Sequence, residues 1–249
     1  MPEANQRLPF LSTQLRWGLL LLGLITMAYA AIEMWRSYQE DELWGFWPIP
    51  LLLAAWFSWR MIRYKANSRE AEHDRWILLS SLSGFLLYLG FPVLPLPFLL
   101  FVGFIPLLLV EQEISKKYPG ISSALVFRYA YNSFIIWNLF TTFWVVNTAL
   151  VAGIVAITVN AFLMSLPFYA YHLCKKMLNE RLSLLAFIVF WISFEYGHMQ
   201  WEISWPWLTL GNGFASFPSW VQWYEVTGVF GGTLWILLAN LLIWKLMES

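Results

Sequence analysis

The strongest constraint in this sequence is a succession of apolar stretches near the length at which a helix crosses a bilayer. A hydrocarbon core about 30 Å thick needs roughly 20 apolar residues of helix. Stretches of this kind recur at 15–35, 46–62, 76–91, 98–110, 122–146, 149–173, 182–196 and 228–244. They predict an all-α, polytopic membrane bundle of about eight transmembrane helices. Residues 63–75 and 111–120 are charged and lack an apolar period, so they read as loops, and 175–181 reads as a basic separator. Pro92, Pro95 and Pro97 cannot continue a helix, because each lacks the N–H that the ladder needs. Pro106 falls inside the short fourth stretch and predicts a kinked or tilted helix.

Composition supports this. The chain is 59% hydrophobic and 12% charged, against about 25% charged in an ordinary soluble domain. So few charges could not cover a water-facing fold. The 17 Trp and 11 Tyr suit the two membrane interfaces. Formal net charge is zero, so no basic field exists to hold nucleic acid. The single cysteine, Cys174, allows neither an intrachain disulfide nor a cysteine metal cluster. No internal repeat is visible, which leaves a repeat-built transporter unsupported.

Basic residues favour the cytoplasmic side. With the N-terminus inside, every Lys and Arg except Arg36 falls on that side, of 15 in all, while Glu33, Glu40, Asp41, Glu42 and Glu202 fall on the other. This predicts that both termini are cytoplasmic, in a multi-pass protein of a bacterial inner membrane. Ala28-Tyr29-Ala30 has the outline of a signal-peptide cleavage site, but the apolar run continues to Ile32, so the first stretch reads as an uncleaved anchor.

Few residues offer chemistry. Cys174 lies beside Lys175 and Lys176, which could lower a thiol pKa, but no base is recognisable next to it and it reads as an inert thiol at a helix end. His73, His172 and His198 lack any zinc-helix spacing, so no metal or other cofactor is expected. Asn132, Asn138, Thr141, Thr142, Asn147 and Asn160 punctuate the fifth and sixth stretches. They either bond neighbouring helices or line a cavity for a polar headgroup. Glu195 and Glu225 sit near the outer end, where a carboxylate at membrane depth is costly and must face protein or a wet cavity. Residues 201–213 hold Trp201, Trp205 and Trp207 with Pro206, Gly211 and Gly213, a composition that fixes a shaped aromatic loop rather than a helix end.

These residues resemble a known pattern. Ser83-Gly84-Phe85-Leu86-Leu87-Tyr88-Leu89-Gly90-Phe91-Pro92 followed by Phe104-Ile105-Pro106-Leu107-Leu108 is similar to the first helical pair of the apolipoprotein N-acyltransferase family. Residues 137–144 resemble its aromatic third helix. Glu195-Tyr196, Trp205-Pro206-Trp207-Leu208 and Leu210-Gly211 resemble its E-[WY]…F-P-W-L…G loop, and Pro218, Gln222, Gly228, Gly231 and Asn240 fall at the spacing of its P-x₃-Q…G-x-x-G…N helix. The likeness covers about 81–245 and leaves out the first two stretches. It divides the chain into an N-terminal extension, 1–75, and an acyltransferase-like membrane domain, 76–249.

The resemblance implies a role in bacterial lipoprotein maturation, where an acyl chain passes from a phospholipid to the N-terminal cysteine of a diacylglyceryl lipoprotein. It implies membrane phospholipids and diacylglyceryl lipoproteins as partners. It implies Glu195, Trp205, Pro206, Trp207 and Gly211 as substrate-binding residues. The family's chemistry belongs to a nitrilase-like domain with a Glu-Lys-Cys triad. The sequence ends at Ser249 before such a domain, so no catalytic residue is assigned; the chain reads either as a fragment of a longer product or as half of a split enzyme, for which a separate nitrilase-like catalytic chain is the expected partner. An arginine that follows the E-[WY] pair in the family is also replaced, with His198 nearby. A small-molecule or lipid transporter is the alternative, with the polar residues of the fifth stretch as its path.

Overall fold

The computed structural model describes residues 13–63, 68–92, 94 and 96–248. Pro95 and Ser249, named above, and Arg7 and Lys65, counted above among the basic residues, lie outside the described residues. Among the described residues the chain is helical, with no strand. The long helices are α1 (Thr13–Gln39), α2 (Pro48–Arg63), α3 (Ser68–Leu89), α4 (Ile105–Lys117), α5 (Ser122–Thr142), α6 (Leu150–Met177), α7 (Glu180–Gln200) and α9 (Val229–Glu248). A single turn, α8 (Tyr224–Thr227), precedes α9, and 3₁₀ turns fill Pro97–Val102, Phe143–Asn147, Pro206–Leu208, Leu210–Phe214 and Pro218–Trp220. Among the described residues, five segments are long and apolar enough to cross a membrane: Gln14–Gln39, Pro97–Lys117, Leu150–Met177, Glu180–Gln200 and Val229–Met247.

Three local expectations are corrected. The charged stretch 111–120 is a loop only at 118–120, since α4 continues through Lys117. Residues 63–75 are likewise helical from Ser68 onward, as the first turns of α3. Pro106 does not kink a helix interior. It occupies the first turn of α4, where its missing N–H has no intrahelical partner to lose. The fourth segment is therefore a 3₁₀ turn and an α-helix joined at Gly103 and Phe104.

The described chain divides into two compact units, one running through Arg75 with Phe143–Gly153 added, the other comprising Trp76–Thr142 and Ile154–Ser249. In the first, α1 packs on α2. Gly23 permits this, because a Cβ there would run into the Ser58 hydroxyl. Arg16 closes the end of α2 by donating to the carbonyls of Met61 (2.6 Å) and Ile62 (3.0 Å), which the helix itself leaves unpaired. Arg60, buried, pairs with Asp74 at 3.1 Å.

The second unit is built on aromatic packing, the form of cohesion available where apolar burial alone gives helices no preference for one another. Phe104 stands edge-on to Trp191, centroids 4.8 Å apart, and Phe134, Phe168 and Phe187 join them, all with no exposed surface. Between α3 and α5 the contact is close, since a Cβ on Gly84 would strike the Ser133 carbonyl. Asn132 of α5 donates to Ser80 (2.8 Å) and Ser81 (3.0 Å) of α3. The Gly103–Phe104 break is sealed from α9. The Asn240 carboxamide donates to the Leu100 carbonyl (2.7 Å) and accepts the Phe104 N–H (2.8 Å).

Candidate functional site

The aromatic loop is held by one carboxylate. Asn179 caps α7 by accepting the Leu182 N–H at 3.0 Å, the geometry preferred at helix starts. Four turns later α7 presents Glu195, which is 4% exposed. Its Oε1 accepts from the Trp191 indole N–H and the Leu210 backbone N–H, each at 2.9 Å, and its Oε2 accepts the Thr233 hydroxyl at 2.6 Å. A buried carboxylate is tolerable only when so satisfied. Glu195 thereby joins α7, the loop and α9.

The loop is locked a second time one residue on. The Gly211 N–H donates to Thr233 Oγ1 (3.2 Å), and the Gly211 carbonyl accepts the Tyr224 hydroxyl (2.8 Å). Gly211 needs to lack a side chain, because a Cβ would overlap the Val229 carbonyl. Burial, with the Glu195 charge adding to it, pushes the Tyr224 phenol up to about 12, so it stays a donor at any physiological pH. Within the loop, Asn212 donates to the Pro206 carbonyl at 2.9 Å. Pro206 starts the 3₁₀ turn that turns Trp207 outward, 54% exposed. Trp205 faces inward, and its indole N–H is buried without an acceptor from the chain.

Beside Glu195 lies a small cavity of about 10 Å³, with Asn160, His198 and Trp205 among its walls, room for about one water. A polar chain leads into it. His198 Nε2 lies 2.9 Å from Asn160 Oδ1, Asn160 Nδ2 donates to Asn138 Oδ1 (2.7 Å), and Asn138 Nδ2 donates to the Phe134 carbonyl (2.8 Å). His198 is stacked on Phe194, centroids 5.1 Å apart. Asn132, Asn138 and Asn160 thus bond their neighbours, and Asn160 also borders the cavity.

Of the residues singled out from the sequence, Glu195, Trp205 and Gly211 come together here, whereas Trp207 stands outside and Glu225 is exposed. Trp191, Thr233 and Tyr224 were not legible as partners. Trp191 alone carries a local signal, four residues before Glu195 on the same helical face. Cys174 is a half-buried free thiol on α6. Among the described residues no group of three or more His, Cys, Asp and Glu could hold a metal.

A second polar cluster, absent from the sequence reading, lies on α4 and α6. Glu111 has no exposed surface, and its carboxylate accepts from Lys175 Nζ (2.6 Å) and Ser115 Oγ (2.7 Å) and lies 2.8 Å from His172 Nδ1.

Membrane-length apolar helices packed through small residues and satisfied polar groups, with a shaped aromatic loop clamped at one end, define a helical membrane protein. The sequence profile of the apolipoprotein N-acyltransferase N-terminal domain matches residues 83–242, and the chain belongs to that family. It is 33% identical over 168 residues to the apolipoprotein N-acyltransferase of Chlorobaculum tepidum, covering 66% of this chain and 30% of that protein. It is 29% identical over 198 residues to that of Geobacter metallireducens, covering 75% and 36% respectively. The chain therefore spans about a third of the length of these curated relatives. No solved structure matches it.

Proposed function

We propose that this chain is a membrane scaffold of bacterial lipoprotein N-acylation, holding phospholipid and lipoprotein acyl chains beside an outer-leaflet site of acyl transfer. It crosses the inner membrane about eight times, with both termini cytoplasmic and the aromatic loop outside. Chemistry is supplied by a nitrilase-like domain, whether on a separate chain or joined to this one. The observation that carries the reading is the Glu195 clamp. It fixes the loop backbone at Leu210, so that Trp207 is presented outward while Trp205 turns toward the cavity. A rigid exposed indole at an interface favours contact with acyl chains and glycerol carbonyls. Transport is less well supported, because Asn138 of α5 and Asn160 of α6 are bonded to each other and the cavity beside Asn160 holds about one water.

A photoreactive phenylalanine analogue at Trp207, in the chain embedded in vesicles, tests this. Irradiation with a labelled diacylglyceryl lipopeptide is expected to crosslink it, far more than the same analogue at the exposed Leu242 of α9. Equal labelling at both positions would sink the proposal.

A further inference from the structure

The end of the helices away from Glu195 carries a second site. On α6, Lys175 follows Asn160 by 15 residues, about 22 Å along the axis at 1.5 Å per residue. On α7, Glu180 precedes Glu195 by the same interval. A pocket of about 370 Å³ opens there, with Ser115, Lys116, Lys175, Leu178, Glu180 and Trp244 in its walls. Those residues come from the ends of α4, α6, α7 and α9, all within or adjoining candidate membrane spans. The pocket therefore sits at the level where such helices leave the hydrocarbon.

Its chemistry is that of an anion site. Lys175 is held by the buried Glu111 through one hydrogen bond, and an ammonium has three donors, so two remain. Its Nζ lies 5.7 Å from the centre of the Trp244 ring, and Lys245 Nζ lies 5.5 Å from that ring. The carboxylate in the wall, Glu180, is already paired with Lys245. Lys116 is exposed and adds a further positive charge. The independent observation is Trp244 itself. It is 1% exposed, and its indole N–H is buried with no acceptor from the chain. A buried donor left unpaired is costly, and an acceptor oxygen entering the pocket would satisfy it.

We propose that this pocket binds the phosphate of an anionic phospholipid headgroup, with Lys116, Lys175 and the Trp244 indole N–H as donors. Free phosphate offers the same oxygens. The lipid is favoured because the pocket lies among helix ends at headgroup level, where basic pockets between transmembrane helices take anionic headgroups, and because Leu178 extends its wall with apolar surface. The site is distinct from the aromatic loop and does not depend on the role given to it above.

The test uses the full chain in neutral detergent, with phosphatidylglycerol or phosphatidylcholine of matched acyl length, and counts retained lipid by native mass spectrometry. Phosphatidylglycerol is expected to survive delipidation where phosphatidylcholine is lost. Lys116→Gln removes an exposed charge that the fold does not need and is expected to lower retention by roughly fivefold or more, as loss of a charge-assisted hydrogen bond does. Trp244→Phe keeps the ring but removes the donor, and retention should fall as well. Millimolar inorganic phosphate should leave the lipid bound. Equal retention of the two lipids, or retention unchanged in both variants, would overturn the site. Displacement of the lipid by inorganic phosphate would overturn its assignment to a lipid.

Discussion

Glu195 shows how much of the loop depends on one side chain. Three donors from three parts of the chain end on its carboxylate: the Trp191 indole, the Leu210 backbone and the Thr233 hydroxyl. Glu195→Ala leaves all three buried and unpaired, and each such group costs roughly 1–3 kcal/mol. We expect a loss of about 3 kcal/mol or more, read as a lower unfolding temperature in detergent, with proteolysis starting inside 201–214. Glu195→Gln keeps the oxygen that Trp191 and Leu210 use, so a loss nearer 1 kcal/mol is expected. If the two variants are equally stable, the carboxylate does not hold the loop. The importance of Glu195 was legible from its type and depth. Its partners were not, because Leu210 and Thr233 are 15 and 38 residues away.

At the scale of elements, the fourth segment is the instructive one. Its prolines and apolar run were visible in the sequence, but the end of the helix was misplaced because charges at 111–117 looked like a loop. They are helical because Glu111 is neutralised by Lys175 and bonded by Ser115 and faces His172, 61 residues away, which no local pattern announces. The same holds at the start of α3, where charge masked helix. The Gly103–Phe104 break is similarly sustained from a distance, by Asn240. Asn240→Leu fits the bundle sterically but strands the Phe104 N–H and leaves the Leu100 carbonyl only the Gly103 N–H at 3.3 Å. A destabilisation of about 2 kcal/mol is expected by thermal unfolding, without loss of helix by circular dichroism. An unchanged unfolding temperature would show that the break is held by aromatic packing alone.

For the molecule as a whole, the helices carry two polar ends. One is the aromatic loop clamped by Glu195, the other the lysine-lined pocket braced by Glu111. The charge asymmetry of the sequence predicts that the first is outside and the second cytoplasmic. The scaffold role requires that orientation, since acyl chains of exported lipoproteins meet only the outer face. Because Cys174 is the sole cysteine, a Cys174→Ser background allows single reporters. Ile203, 74% exposed in the loop, and Met247, 61% exposed at the end of α9, mark the two ends. The most direct measurement is labelling of intact cells with a membrane-impermeant maleimide. Ile203→Cys is expected to react at once and Met247→Cys only after the membrane is opened. The reverse pattern would put the aromatic loop in the cytoplasm and contradict the scaffold role.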